Sequence, residues 1–158
     1  MANLGTPCVR NPRTLLVCAV AAAAAGDHDE SRRLEHDADA LGMEGYPVLL
    51  DPPRLRLALL RGELDRVEAL LGDPAARHYF WFGLSAQATR LDALAALRDR
   101  EKIEVEALPL LGSNTYLEPF ALRALGIVRE DKSLIEQAAG SFDAMKLPWH
   151  AAQTRALF

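Results

Sequence analysis

Asp27, His28, Asp29, His36, Asp37 and Asp39 crowd into one short stretch, "DHDESRRLEHDAD". Imidazoles and carboxylates are the ligands that zinc and manganese take. The spacing argues for a different use. Asp29 and His36 lie seven apart, and Asp27 and His28 fall at a predicted turn, so the donors spread along an exposed helix face. The expectation is helix capping followed by a solvated acidic face, with no metal. In "LPWHAAQTR", Trp149 and His150 could serve acid–base chemistry, but no carboxylate or Cys partner is fixed beside them. The expected role is a helix start with Trp149 packed on the preceding hairpin. Ser85, Ser113, Ser133 and Ser141 have no nucleophile-elbow context. Glu104 and Glu106 lie two apart and do not share a helix face well. "HYFWFG", His78–Gly83, holds four of the ten aromatic residues. It reads either as a ligand-binding patch or, preferred here, as a hydrophobic plug under a long loop. No catalytic residue and no cofactor is expected.

The elements that must position these residues are helices. Half of the 158 residues are hydrophobic but only 6% are aromatic. Ala and Leu, both strong helix formers, supply most of the apolar content. β-branched residues form no long alternating run, so a sheet has little to build on. A net charge of −4 gives no global electrostatic reason to bind nucleic acid or an anionic membrane. Cys8 and Cys18 have no C-x-x-C spacing, and both are expected reduced, one near a frayed terminus and one buried on a helix. The run Leu15–Ala25 has the length of a signal-peptide core but is mostly alanine, and "MANLGTPCVRNP" before it is no compact basic region. It is expected to be the first helix of a cytoplasmic chain. No stretch is long enough for a transmembrane helix.

That helix ends in a turn that recurs. Gly26, Gly62, Arg98 and Glu130 each follow a helical run and precede an acid: Asp27, Glu63, Asp99 and Asp131. The intervals are 62 − 26 = 36, 98 − 62 = 36 and 130 − 98 = 32. A period in the mid-thirties with two helices per unit marks stacked helical hairpins. The acid caps the next helix, and a left-handed turn residue, easiest for Gly, ends the previous one. One helical-repeat domain over 1–158 is predicted. Its units are roughly 12–41, 52–72, 82–111 and 116–145, with a capping helix over 148–158. Asp51-Pro52 and Asp73-Pro74 read as helix starts, and Thr115 with Glu118 has capping-box spacing, with Pro119 as an alternative first residue. "GMEGYPVLLDPP" and "GDPAARHYFWFG" read as loops packed on the stack. In the last helix, Trp149, Ala152 and Ala156 form the stripe expected to lie on Leu134, Ala138 and Phe142.

"GDHDES" resembles the turn between the two helices of a tetratricopeptide repeat, and "GELDRVEALL" is a looser copy. Leu125-Gly126, Ala138 and Phe142 match that repeat's packing positions in a shifted register. Over nearly its whole length, the chain resembles the C-terminal helical-repeat region of large actinobacterial signalling proteins, through "TPCVRNPRTLLVCAVAAAAAGDHDESRRLEHDADALGMEGY", "LRLALLRGELDRVEALL" and "ALGIVREDKSLIEQAAGSFDAMKLPWHAAQTRA". Those proteins join an adenylate-cyclase-type or LuxR-type DNA-binding domain to a P-loop ATPase and then to such repeats. The G-x-x-x-x-G-K-[ST] loop and a basic recognition helix are not in this sequence.

The resemblance implies an all-α, right-handed tetratricopeptide-like superhelix and a role in signalling or transcription regulation. The expected function is a non-enzymatic interaction module whose first helices line a groove for a protein partner or a neighbouring domain. Arg54, Arg56, Arg90 and Arg123 lie on those first helices and are the candidate contacts. No direct contact with nucleic acid or membrane is expected. The alternatives are a fragment of a cyclase/ATPase regulator with only a structural role, and a small enzyme with a cryptic site.

Overall fold

The computed structural model describes residues 8–42, 47–71, 83–112 and 114–157, without the side chains of residues 47 and 48. It is all-α: among the described residues there is no strand. The helices are α1 (Arg10–Ala24), α2 (His28–Asp39), α3 (Pro47–Arg61), α4 (Leu64–Leu71), α5 (Gly83–Ala96), α6 (Arg100–Ala107), α7 (Glu118–Arg129), α8 (Lys132–Ala144) and α9 (Pro148–Arg155). A 3-10 turn, Leu108–Leu110, follows α6. No described helix is long and apolar enough to cross a membrane. The chain divides into two compact units, Met1–Phe82 and Gly83–Phe158, where the sequence predicts one continuous array.

In the first unit α1 packs on α2 and α3, and α4 packs on α3. The alanine run is a core helix. Leu16, Ala19 and Ala23, at i, i+3 and i+7, are buried with Ala38, Leu50 and Leu57. In the second unit α5 packs on α6 and α7, α7 on α6 and α8, and α8 on α9. Every residue from Pro119 to Gly126 is buried, so α7 is enclosed on all sides. Phe120 and Phe142 meet edge to face at 4.9 Å in its core.

One turn joins the helices within each hairpin. Gly26, Gly62, Arg98 and Glu130 all have positive φ, at 84°, 70°, 54° and 56°. The next residue's N–H bonds five residues back: Asp27 to Ala22, Glu63 to Ala58, Asp99 to Leu94 and Asp131 to Gly126, at 2.9–3.0 Å. This is the bond pattern of a Schellman motif, which ends a helix by pairing its orphan carbonyls. Asp27, Asp99 and Asp131 then accept from backbone N–H groups of the next helix through their carboxylates. A fifth copy, with Lys146 at φ 60° and Leu147 bonded to Phe142, joins α8 to α9.

Four expectations need correction. First, α3 begins at Pro47, so Asp51-Pro52 is no helix start and half of the supposed loop is helical. Pro52 and Pro53 lie inside the helix, where each forfeits a backbone bond to the carbonyl four residues back, and burial of Leu50, Leu55, Leu57 and Ala58 offsets that cost. Second, Thr115 and Glu118 form no capping box. Leu117 precedes the helix, and the Glu118 carboxylate accepts instead from the N–H groups of Gly112 and Asn114, at 2.7 and 2.8 Å. Third, Cys18 is exposed, as is Cys8, and both are free thiols. Fourth, the buried face of α9 is Ala151 and Thr154, on the opposite side of the helix from the predicted stripe; Trp149, Ala152 and Ala156 are exposed. Asp73-Pro74 and His78–Phe82 lie outside the described residues, and Gly83 is the first residue of α5.

Candidate functional site

The residues with the chemistry to do work are ion pairs that link helices. In the first unit Ser31, Glu35 and Ala38 share the inward face of α2 at i, i+4 and i+7. Glu35 receives two guanidinium groups. Arg61, the last residue of α3, donates from Nη1 to Glu35 Oε2 at 2.5 Å and from Nη2 to Ser31 Oγ at 2.8 Å. Arg66 of α4 donates to Glu35 Oε1 and, at 3.2 Å, to Glu63. The side chains of Glu35 and Arg61 are each only 11% exposed. Burial works against the carboxylate's charge, but the hydrogen bonds from Arg66 and Arg61 outweigh it and hold Glu35 below its ordinary value. Arg66 is held above its ordinary value: burial opposes its charge, and the bond to Glu35 outweighs that opposition. Arg61 Nε is buried with no hydrogen-bond partner. The cluster ties α2, α3 and α4 together, and each carboxylate oxygen of Glu35 accepts from a different guanidinium.

In the second unit Arg123 projects from α7 into a buried site. Its Nη2 donates to Asp92 Oδ1 on α5 at 2.5 Å, with side-chain exposures of only 8% and 12%. Its Nη1 donates to Thr154 Oγ1 on α9 at 3.1 Å. The guanidinium lies over Phe120 and Phe142, 5.2 and 5.0 Å from their centroids. His150 stacks on Phe142 at 5.1 Å and meets Phe120 and Trp149 edge-on. Two further pairs link neighbouring helices. Arg90 on α5 binds Glu106 on α6 through two bonds of 2.7–2.8 Å, which with its other interactions raise the Arg90 pKa. Arg129 on α7 binds Glu104 on α6, which lowers the pKa of Glu104.

The candidate partner contacts are therefore engaged within the chain. Arg54 pairs with Asp39 at 2.7 Å and with Asp51 at 3.8 Å. Arg90 is held by Glu106. Arg56 also has an interaction within the structure. Arg123 requires correction: it is buried and held by Asp92 and Thr154, on a helix that packs on α5, α6 and α8, so it is not the exposed groove contact expected of it.

The histidine–carboxylate stretch is dispersed. Asp27 caps α2, Asp29 pairs with Arg32, Asp37 with Arg33 and Asp39 with Arg54, while His28 and His36 are exposed. Among the described residues no three His, Cys, Asp or Glu side chains converge as metal ligands. Of the serines, Ser133 donates to the capping Asp131 at 2.6 Å, Ser85 is exposed, and Ser113 lies outside the described residues.

Glu35, Asp92 and Thr154 escape a sequence reading because their partners lie 26 to 31 residues away. A usable signal existed for Glu35 and for Arg123, the partner of Asp92 and Thr154. Glu35 sits on the Ser31–Ala38 face, where burial is expected, and Arg123 interrupts the apolar run "PFALRALG". No family model, curated protein or solved structure matches the chain.

Proposed function

We propose that the chain is a non-catalytic protein-interaction module built of tetratricopeptide-like helical hairpins, serving a regulatory or signalling protein or its neighbouring domains. The observation that carries this reading is how the chain spends its charged side chains. Glu35, Asp92, Glu104 and Glu106 each hold an arginine of another helix. Groups engaged in this way fix helix packing and are not themselves free for acid–base work. Apolar side chains, in contrast, are left outward. Val105 on α6 is 70% exposed and Leu108, one turn further, is 46% exposed. A pair at i, i+3 suits an amphipathic helix of a partner, whose apolar face would cover it. This moves the candidate contact from the arginines of the first helices to the outer face of a second helix.

The test is quantitative co-isolation from the source organism, with the wild-type chain and with Val105→Asp/Leu108→Asp. Circular dichroism first establishes that both are folded. The reading predicts specific proteins bound by the wild type and lost from the variant. An identical bound set in both would remove the α6 face. Substrate turnover by the purified wild-type chain, above a heat-treated control, would replace the binding reading with an enzymatic one.

A further inference from the structure

We propose that Arg123 is a clamp that makes the docking of α9 depend on α5, so that the C-terminal helix acts as a latch on the second unit. One guanidinium touches residues of α5, α8 and α9 from its place on α7. It donates to Asp92 on α5 at 2.5 Å and to Thr154 on α9 at 3.1 Å, and it lies over the Phe142 ring of α8 at 5.0 Å. Thr154 is fully buried, and its hydroxyl donates in turn to the carbonyl oxygen of His150 at 2.7 Å, in the first turn of the same helix. The chain of bonds thus runs Asp92, Arg123, Thr154, His150, from one helix through a second to a third.

Two features suit α9 to be the part of the latch that opens. It has eight residues, too few to hold a helix without tertiary contacts, and its only fully enclosed side chains are the small Ala151 and Thr154. It is also attached through Lys146, a non-glycine residue at φ 60°, a conformation that an L-residue keeps only while the turn bonds around it persist. A planar fork that presents two N–H donors at fixed angles sets Thr154 and Asp92 relative to each other. If Asp92 aims the fork, the bond to Thr154 is well placed; if Asp92 is removed, the fork is free to turn and α9 loses its anchor. Opening the latch would uncover Phe120 and Phe142, which His150 touches when it is closed. The inference concerns the isolated chain and does not depend on the interaction reading above.

The experiment is a double-mutant cycle on the full chain, read by amide hydrogen exchange in α9. Thr154→Val removes the hydroxyl at constant shape and should speed exchange at α9 amides about tenfold, the scale of one hydrogen bond to a charged group. Asp92→Asn should also speed exchange in α9, although it changes α5. The two effects should be strongly non-additive, since both act through one guanidinium. Arg123→Lys keeps the charge but cannot reach both partners as a fork, and in that background the non-additivity should vanish. Additive effects, or α9 exchange unmoved by Asp92→Asn, would overturn the clamp.

Discussion

Replacing Glu35 by Gln removes a charge shared by two guanidinium groups at near-constant shape. Breaking a buried pair costs more than the pair contributes, because the remaining charge loses its compensation, and the loss should be about 3 kcal/mol in urea unfolding. The acid limb should change as well. The folded-state pKa of Glu35 lies below its ordinary 4.5, so its ionised form adds stability that is fully present above that value. That contribution is lost as pH falls through the depressed folded value, and Glu35→Gln should flatten the corresponding part of the stability–pH curve. Gly126 makes a second residue-scale prediction. A Cβ there would lie 2.7 and 2.8 Å from Cδ1 and Cγ1 of Ile135 and 3.2 Å from the Asp131 carbonyl oxygen. Ala normally improves a helix interior by about 1 kcal/mol over Gly, but here the clash wins, and Gly126→Ala should destabilise by about 1–3 kcal/mol. Ile135→Val, which removes Cδ1, should restore part of the loss.

Among the elements, the turns were the most legible feature. Gly26 and Gly62 announced themselves, and Arg98 and Glu130 were found only through spacing and the acid that follows, yet all four adopt the same left-handed conformation. Because Arg and Glu pay a strain there that Gly does not, Arg98→Gly and Glu130→Gly should each raise stability by about 0.5–1 kcal/mol. Their mutual ion pair is 3.8 Å long and largely solvated, so its loss offsets little of the gain. Lowered melting temperatures in both variants would contradict the account. The fifth turn, at Lys146, was missed because neither Gly nor a following acid marks it: Leu147 stands where the acid would be. That omission also misplaced the face of α9. A periodic stripe of Trp149, Ala152 and Ala156 is compatible with burial, but the turn rotates the helix so that Ala151 and Thr154 point inward. Trp149 is 37% exposed and Phe142 is fully buried. Phe142→Ala should therefore cost about 3–5 kcal/mol, and Trp149→Ala well under half as much, as compared in parallel denaturant titrations.

For the whole molecule, helical class followed directly from Ala, Leu and the recurring turns. The start of α3 did not, because two adjacent prolines normally signal a boundary and here lie inside a helix that its Leu-rich face holds together. The cross-helix ion pairs did not either, since a charged residue with a partner 26 to 31 positions away looks in sequence like any solvated one. The central claim is that the same hairpin turn is made five times among the described residues. Amide hydrogen exchange resolved by residue, at neutral pH, tests it directly. The N–H groups of Asp27, Glu63, Asp99, Asp131 and Leu147, each bonded to a carbonyl five residues back, should all exchange well below the unprotected rate, while the exposed N–H of Asp29, in the first turn of α2, exchanges fast. Unprotected exchange at those five positions, in a chain that is otherwise helical by circular dichroism, would contradict the account.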